Sequence, residues 1–190
     1  MTILEHALTN LAEFLKDQKI PYMVIGGFAN IIWGEPRATI DIDVTIWVSK
    51  QDIENTISVF EGKYKTRIPE PSAFVRDTHV LPLESREGVY IDIIFGSLPY
   101  EEDAINRAIE VDILKRPVRF CSPEDLILHK IISERDTDLA DVRGVILRQI
   151  KTLDLEYIEP RIQELSNELA RTKIWDYWIE CKNRAQISQQ

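Results

Sequence analysis

Ile40-Asp41-Ile42-Asp43-Val44-Thr45-Ile46-Trp47-Val48 is the stretch that decides the fold. Its period is two. Ile40, Ile42, Val44, Ile46 and Val48 point one way and Asp41, Asp43, Thr45 and Trp47 the other, the pattern of a strand with one buried face. At roughly 3.3 Å of rise per residue, the Cβ atoms of Asp41 and Asp43 stand about 7 Å apart on the same side. Two carboxylates so placed repel each other, and aspartate suits strand interiors poorly, so the pair asks for solvent or a divalent cation to neutralise it. Read alone, such an Asp-x-Asp is also what a solvated strand face carries.

Upstream, Leu4, Leu8, Leu11 and Leu15 recur at helical spacing and predict an amphipathic helix that ends near Lys19, before Pro21. Residues 22–25 read as a short apolar strand. Gly26 and Gly27 then make a tight turn, and residues 28–33 form a short helix stopped by Gly34 and Pro36. Downstream, Ser49 with Asp52 predicts a capping box and a helix to about Phe60. Residues 74–83 and 89–95 read as two antiparallel strands joined by a polar turn, the second carrying Asp92 on the face opposite Ile91 and Ile93. Shorter strands are expected near 110–114 and 118–121. From Ser122 the pattern changes: Ser122 as N-cap, Pro123 at the first helical position, and Glu124 and Asp125 in the first turn open a helix. The rest is helical with breaks near Asp136, Thr152 and Thr172, and a polar end over residues 183–190 that frays. The fold class is therefore α/β (α+β). A mixed sheet flanked by helices fills residues 1–121, and a C-terminal helical unit, residues 122–190, packs on it.

The net charge of −9 argues against broad adhesion to nucleic acid, which depends on neutralising many phosphates. Local basic clusters, such as Lys63, Lys65 and Arg67, read as solvated surface. The longest apolar stretch, residues 22–33, is broken by two glycines and falls short of the roughly 20 residues a membrane helix needs. With no basic leader and apolar core at the start, a cytoplasmic protein with no membrane partner is expected. Cys121 and Cys181 lack metal or redox spacing, and His6, His79 and His129 lack ligand spacing.

Nucleotidyl transfer needs carboxylates that bridge metal ions, a backbone cradle for a triphosphate and a positioned acceptor hydroxyl. Asp41, Asp43 and Asp92 supply the carboxylates. A glycine turn at a helix start lets N–H groups approach phosphate oxygens, and Gly26-Gly27 supplies that. On Ile25-Gly26-Gly27, Asp41-Ile42-Asp43-Val44 and Ile91-Asp92-Ile93 the chain resembles the polymerase-β-like nucleotidyltransferase superfamily. Over residues 37–44, and again at 122–127, Lys130, Arg135 and Asp138-Leu139-Ala140-Asp141, it resembles the AbiEii-type toxin nucleotidyltransferases and their bacterial relatives. The resemblance covers residues 22–145.

What the resemblance implies is a minimal nucleotidyltransferase sheet and a transfer of a nucleoside monophosphate from a nucleoside triphosphate, with Mg²⁺ or Mn²⁺. Asp41 and Asp43 would bind metal. Asp92 would bind the catalytic metal and help activate the acceptor. Gly26 and Gly27 would hold phosphates, and Lys130 would face the triphosphate. In the toxin relatives the acceptor can be tRNA and an antitoxin partner restrains the enzyme. One departure is Gly27, where many members carry serine.

Each residue also has a plainer reading. The glycines suit a turn without ligand; Arg37 suits a phosphate contact or a pair with Glu35; the Lys130 stem suits an apolar surface along which it snorkels. Asp138 and Asp141 suit the start of a new helix, and with Arg135 their roles stay open. Three functions follow. The first is transfer to an acceptor such as tRNA, in a toxin–antitoxin setting. The second is transfer to a small, antibiotic-type molecule, with protein as a further acceptor class. The third is a non-catalytic nucleotide-binding or antitoxin-like partner on the same fold.

Overall fold

Two parallel strands, β2 (Asp41–Ile46) and β5 (Tyr90–Phe95), form the middle of a seven-stranded mixed sheet in the computed structural model, which describes residues 2–133 and 135–188. The remaining strands are β1 (Tyr22–Val24), β3 (Lys65–Thr66), β4 (Val80–Glu84), β6 (Ile109–Ile113) and β7 (Arg116–Phe120), in the order β3-β4-β5-β2-β1-β7-β6. β1 pairs parallel with β7, and the pairs β1·β2, β3·β4, β4·β5 and β6·β7 are antiparallel. The period-two reading of β2 holds from Asp41 to Val44, whereas Ile40, expected on the buried face, is 78% exposed and precedes the strand, and Thr45 on the aspartate face is fully buried. Ile42, Val44 and Ile46, with Ile91 and Ile93 of β5, are all fully buried on one face. That common apolar face fixes the register, because a slip of one residue would turn every aspartate inward.

The chain divides into two compact units. The first comprises Met1–Phe28 and Ala38–Cys121, and the second Ala29–Arg37 and Ser122–Gln190. The whole sheet lies in the first. Its helix α1 (Ile3–Asp17) is closed at the start by a capping box, in which Glu5 N–H donates to Thr2 Oγ1 at 3.2 Å and Thr2 N–H to Glu5 Oε2 at 2.8 Å. Leu8, Leu11 and Leu15 are its buried stripe. Helix α2 (Gly26–Trp33) begins on the two glycines and carries the chain from the first unit into the second.

Three local expectations are corrected. Helix α3 (Ile53–Glu61) has Asp52 as its N-cap with no side-chain cap bond, because Ser49 Oγ donates to Asp52 Oδ2 at 2.6 Å and so takes the carboxylate. Residues 74–78, expected as strand, belong to helix α4 (Pro71–Thr78). Pro71 starts it, and His79 in the left-handed region (φ 59°) ends it, so the ladder with β5 opens only at Val80, opposite Ile94. Helix α5 (Pro99–Asn106) was not anticipated. Its start is held by Glu101, whose Oε2 accepts from the N–H groups of Ser97 (2.8 Å) and Leu98 (2.9 Å).

The second unit contains α6 (Pro123–Ile131), α7 (Asp136–Gln149), α8 (Leu155–Glu168) and α9 (Thr172–Ser188). The cap expected at Ser122 is present: its Oγ accepts from Asp125 N–H at 3.1 Å. Ile174, Trp178, Cys181 and Ala185 recur at helical spacing on α9 and are its buried side chains. The fraying expected at the chain end includes Gln189 and Gln190, which lie outside the described residues. Cys121 and Cys181 are buried thiols outside any disulfide. Among the described residues no helix is long and apolar enough to cross a membrane.

Candidate active site

The parallel register of β2 and β5 sets Asp43 directly beside Asp92 and Asp41 beside Tyr90. Neighbouring strands run about 4.8 Å apart, so Asp43 and Asp92 are adjacent on one face while Asp41 lies two residues along the same strand. All three are half-buried, and the opposite face is the apolar core. Carboxylates at this spacing repel, and polar groups lie against them. Thr39 Oγ1 donates to Asp41 Oδ1 at 3.2 Å. The Arg67 guanidinium donates through Nη2 to Asp92 Oδ1 in an ion pair. Arg67 is itself fixed at both ends: its backbone N–H donates to Pro82 O at 3.0 Å, and its guanidinium carbon lies 4.6 Å from the centroid of the Tyr90 ring.

The glycine turn lies against these carboxylates. Gly26 has φ +64°, and a Cβ there would come within 2.0 Å of Asp43 Oδ2, so both conformation and space demand glycine. The neighbouring Ile25 N–H donates to Asp43 O at 2.9 Å, which ties the turn to β2. At Gly27 a Cβ would meet Thr39 Oγ1 at 2.4 Å. The first turn of α2 thus begins with bare backbone beside the Asp43 carboxylate. Free N–H groups at such a start are suited to phosphate oxygens.

A divalent cation can be tested against this donor set. The oxygens are of the hard type that Mg²⁺ and Mn²⁺ prefer, and Asp43 and Asp92 are side by side. Among the described residues no group of three or more His, Cys, Asp or Glu is gathered as an assembled metal centre. The Asp92 carboxylate is paired with Arg67. The donors fit a cation in kind, and the register sets Asp43 beside Asp92, which is engaged by Arg67.

A family model described as "Nucleotidyltransferase of unknown function (DUF6036)" matches residues 3–185. The chain belongs to this nucleotidyltransferase family. Among curated proteins no sequence matches. Solved structures share this fold. ANT(2")-Ia in complex with adenylyl-2"-tobramycin is 15% identical, with 93% of this chain and 99% of that one covered and a TM-score of 0.57. An antigenic nucleotidyltransferase-like protein from Paracoccidioides brasiliensis is 16% identical, with 92% and 91% covered and a TM-score of 0.55. The lincosamide antibiotic adenylyltransferase LnuA, bound to lincomycin, is 19% identical, with 76% and 96% covered and a TM-score of 0.52. At these identities the likeness is one of fold.

Within this family member the other two expected site residues, Arg37 and Lys130, lie in the second unit and meet at one carboxylate. Arg37 donates from Nε to Asp141 Oδ1 at 3.0 Å and from Nη2 to Oδ2 at 3.0 Å, the fork geometry that suits carboxylates. Lys130, expected to face a triphosphate or to run its stem along apolar surface, is 7% exposed. Its Nζ lies 2.6 Å from Asp138 Oδ1 and 2.8 Å from Asp141 Oδ2. Asp138 and Asp141 are one turn apart on α7, so both face α6, and Arg135 Nε closes the cluster on Asp138 Oδ2 at 2.6 Å. Burial pushes the Asp138 carboxyl up, but hydrogen bonds from Lys130, Ser133 and Arg135 outweigh it and leave the group below the usual range.

Sequence reasoning passed over Arg67, grouping it with solvated charge. No local signal was available. The strand before it is two residues long, and its partner lies 25 residues away.

Proposed function

We propose that the chain transfers a nucleoside monophosphate from a nucleoside triphosphate to an acceptor hydroxyl, with Asp41, Asp43 and Asp92 holding Mg²⁺ or Mn²⁺. The observation that carries this reading is the register pairing Asp43 with Asp92, beside a glycine turn that no side chain can enter. The bound cation would offset the charge that develops on the phosphoryl oxygens. The Gly26-Gly27 backbone would receive the phosphates and align the α-phosphorus for in-line attack. Asp92 would take the proton of the acceptor hydroxyl as the new O–P bond forms and the bond to the β-phosphate oxygen breaks, releasing pyrophosphate.

The acceptor divides the reading. The AbiEii-type resemblance favours tRNA and a toxin–antitoxin setting. A small hydroxylated acceptor is favoured by the net charge of −9, which repels RNA. A cytoplasmic location is consistent with either. Incubation with each α-labelled nucleoside triphosphate, Mg²⁺ and total RNA or lysate separates them. Label in tRNA supports the first, label in a small molecule the second, and label in protein names a third acceptor. Binding of nucleotide without transfer to any of these would favour a non-catalytic, antitoxin-like role.

A further inference from the structure

Arg67 is placed against Asp92 by three separate contacts. Its backbone is hydrogen-bonded to Pro82, the residue that pairs with Asp92 across the β4·β5 ladder. Its guanidinium lies over Tyr90, two residues before Asp92 on the same face. Its Nη2 reaches Asp92 Oδ1. The chain is built to hold a cation at this carboxylate. Yet the pair is open to water, with side chains 29% and 32% exposed, and it uses a single nitrogen of a guanidinium that carries five N–H donors. A guanidinium so placed can bind a phosphate as well as a carboxylate.

Resting on the metal-dependent reading above, we propose that Arg67 is an exchangeable counter-ion of the site. While no divalent cation is bound, it holds Asp92 and offsets the repulsion between Asp92 and Asp43. When a cation takes Asp92, the guanidinium passes to a phosphate oxygen of the triphosphate. Its anchors at Pro82 and Tyr90 keep it beside the carboxylates during that change. Cation and triphosphate thereby become coupled, since each favours the state that suits the other. Arg67 is a positioning residue in this scheme, and its signature is a pair of effects with opposite sign.

The test uses the full-length protein and the variants Arg67→Met and Arg67→Lys. Mn²⁺ affinity without nucleotide is measured by electron paramagnetic resonance of the free ion. Affinity for inorganic tripolyphosphate at saturating Mn²⁺ is measured by calorimetry. Arg67→Met is expected to bind Mn²⁺ alone about 10-fold more tightly, because a competing positive charge is gone, and tripolyphosphate about 10-fold more weakly. Arg67→Lys keeps the charge and is expected to restore both affinities to within about 3-fold, losing the fork geometry alone. Should Arg67→Met not fold, Arg67→Gln removes the charge while retaining donors and is read in the same way. Unchanged affinities, or two that weaken together, overturn the proposal and make the ion pair structural. Tighter Mn²⁺ with unchanged tripolyphosphate overturns the hand-over, leaving a fixed counter-ion. If the wild-type protein binds no Mn²⁺ that Asp43→Asn abolishes, the metal reading itself fails, and this proposal with it.

Discussion

The two acidic clusters of this chain are built on opposite principles. On the strand face Asp41, Asp43 and Asp92 stand together, half-buried, with like charges side by side and Arg67 bound to one of them. In the helical unit Asp138 and Asp141 are almost fully buried, and Lys130, Arg37 and Arg135 close on them from three sides. The second arrangement satisfies its charges within the protein, as buried charge must be. The first leaves acid crowded where water and ligands reach it, which folding alone would not favour. A cluster that costs stability and remains accessible is the one to assign to chemistry.

That contrast breaks most directly at Lys130. Lys130→Ala removes the buried ammonium shared by Asp138 and Asp141 and leaves each with one arginine, and the expected loss is about 2–3 kcal/mol in urea unfolding. A snorkelling lysine would leave almost no trace. A loss below about 1 kcal/mol would show the cluster to be wetter and looser than the strand face, and the distinction drawn here would collapse. Asp43→Asn sharpens the other side. It removes one charge from a crowded, half-buried pair, so the melting temperature should hold or rise slightly, while nucleotidyl transfer falls at least about 100-fold. Full transfer with the asparagine in place would move the chemistry to other residues.

How much of this could be read in the sequence depends on how local each cause is. β2 and β5 were legible because alternation over six residues leaves one apolar face, and the Ser122 start because cap, proline and first-turn acids lie within four positions. Residues 74–78 misled because Phe74 and Val75 suit strand and helix alike. Only the proline three residues before Phe74 and the left-handed His79 decide for helix. α5 has no strong apolar stripe, and its anchor is a glutamate that turns back on the preceding loop. The aspartates were visible as candidates from strand parity. Their partners were not, because Arg67 reaches Asp92 through a register of three strands, and Lys130 meets Asp138 and Asp141 through the packing of two helices.

Gly26 offers a smaller test on the strand face. Gly26→Ala must hold a left-handed conformation and push aside the Asp43 carboxylate that its Cβ would meet at 2.0 Å. The backbone strain is about 1–2 kcal/mol. Triphosphate binding should weaken by more than that strain explains, since a methyl group would fill the cradle. Calorimetry on the folded variant reads this directly. If binding is normal, the turn is a structural bend alone.

The least effect is expected from acid. The Asp138 carboxyl lies below its ordinary value in the folded protein, so the folded state releases its proton more readily than the unfolded chain. Its stabilising contribution is therefore complete above the unfolded value of about 3.9 and is lost as pH falls through the lower folded value. Stability measured from pH 6 down to pH 2.5 should decline with a component that Asp138→Asn removes, even though that variant starts from a lower stability. Asp43→Asn is the control, since it removes a carboxylate from the strand face and leaves the Lys130–Asp138 contact in place, so the acid component assigned to Asp138 should persist in it. Equal flattening by both variants would mean that the acid limb does not report Asp138.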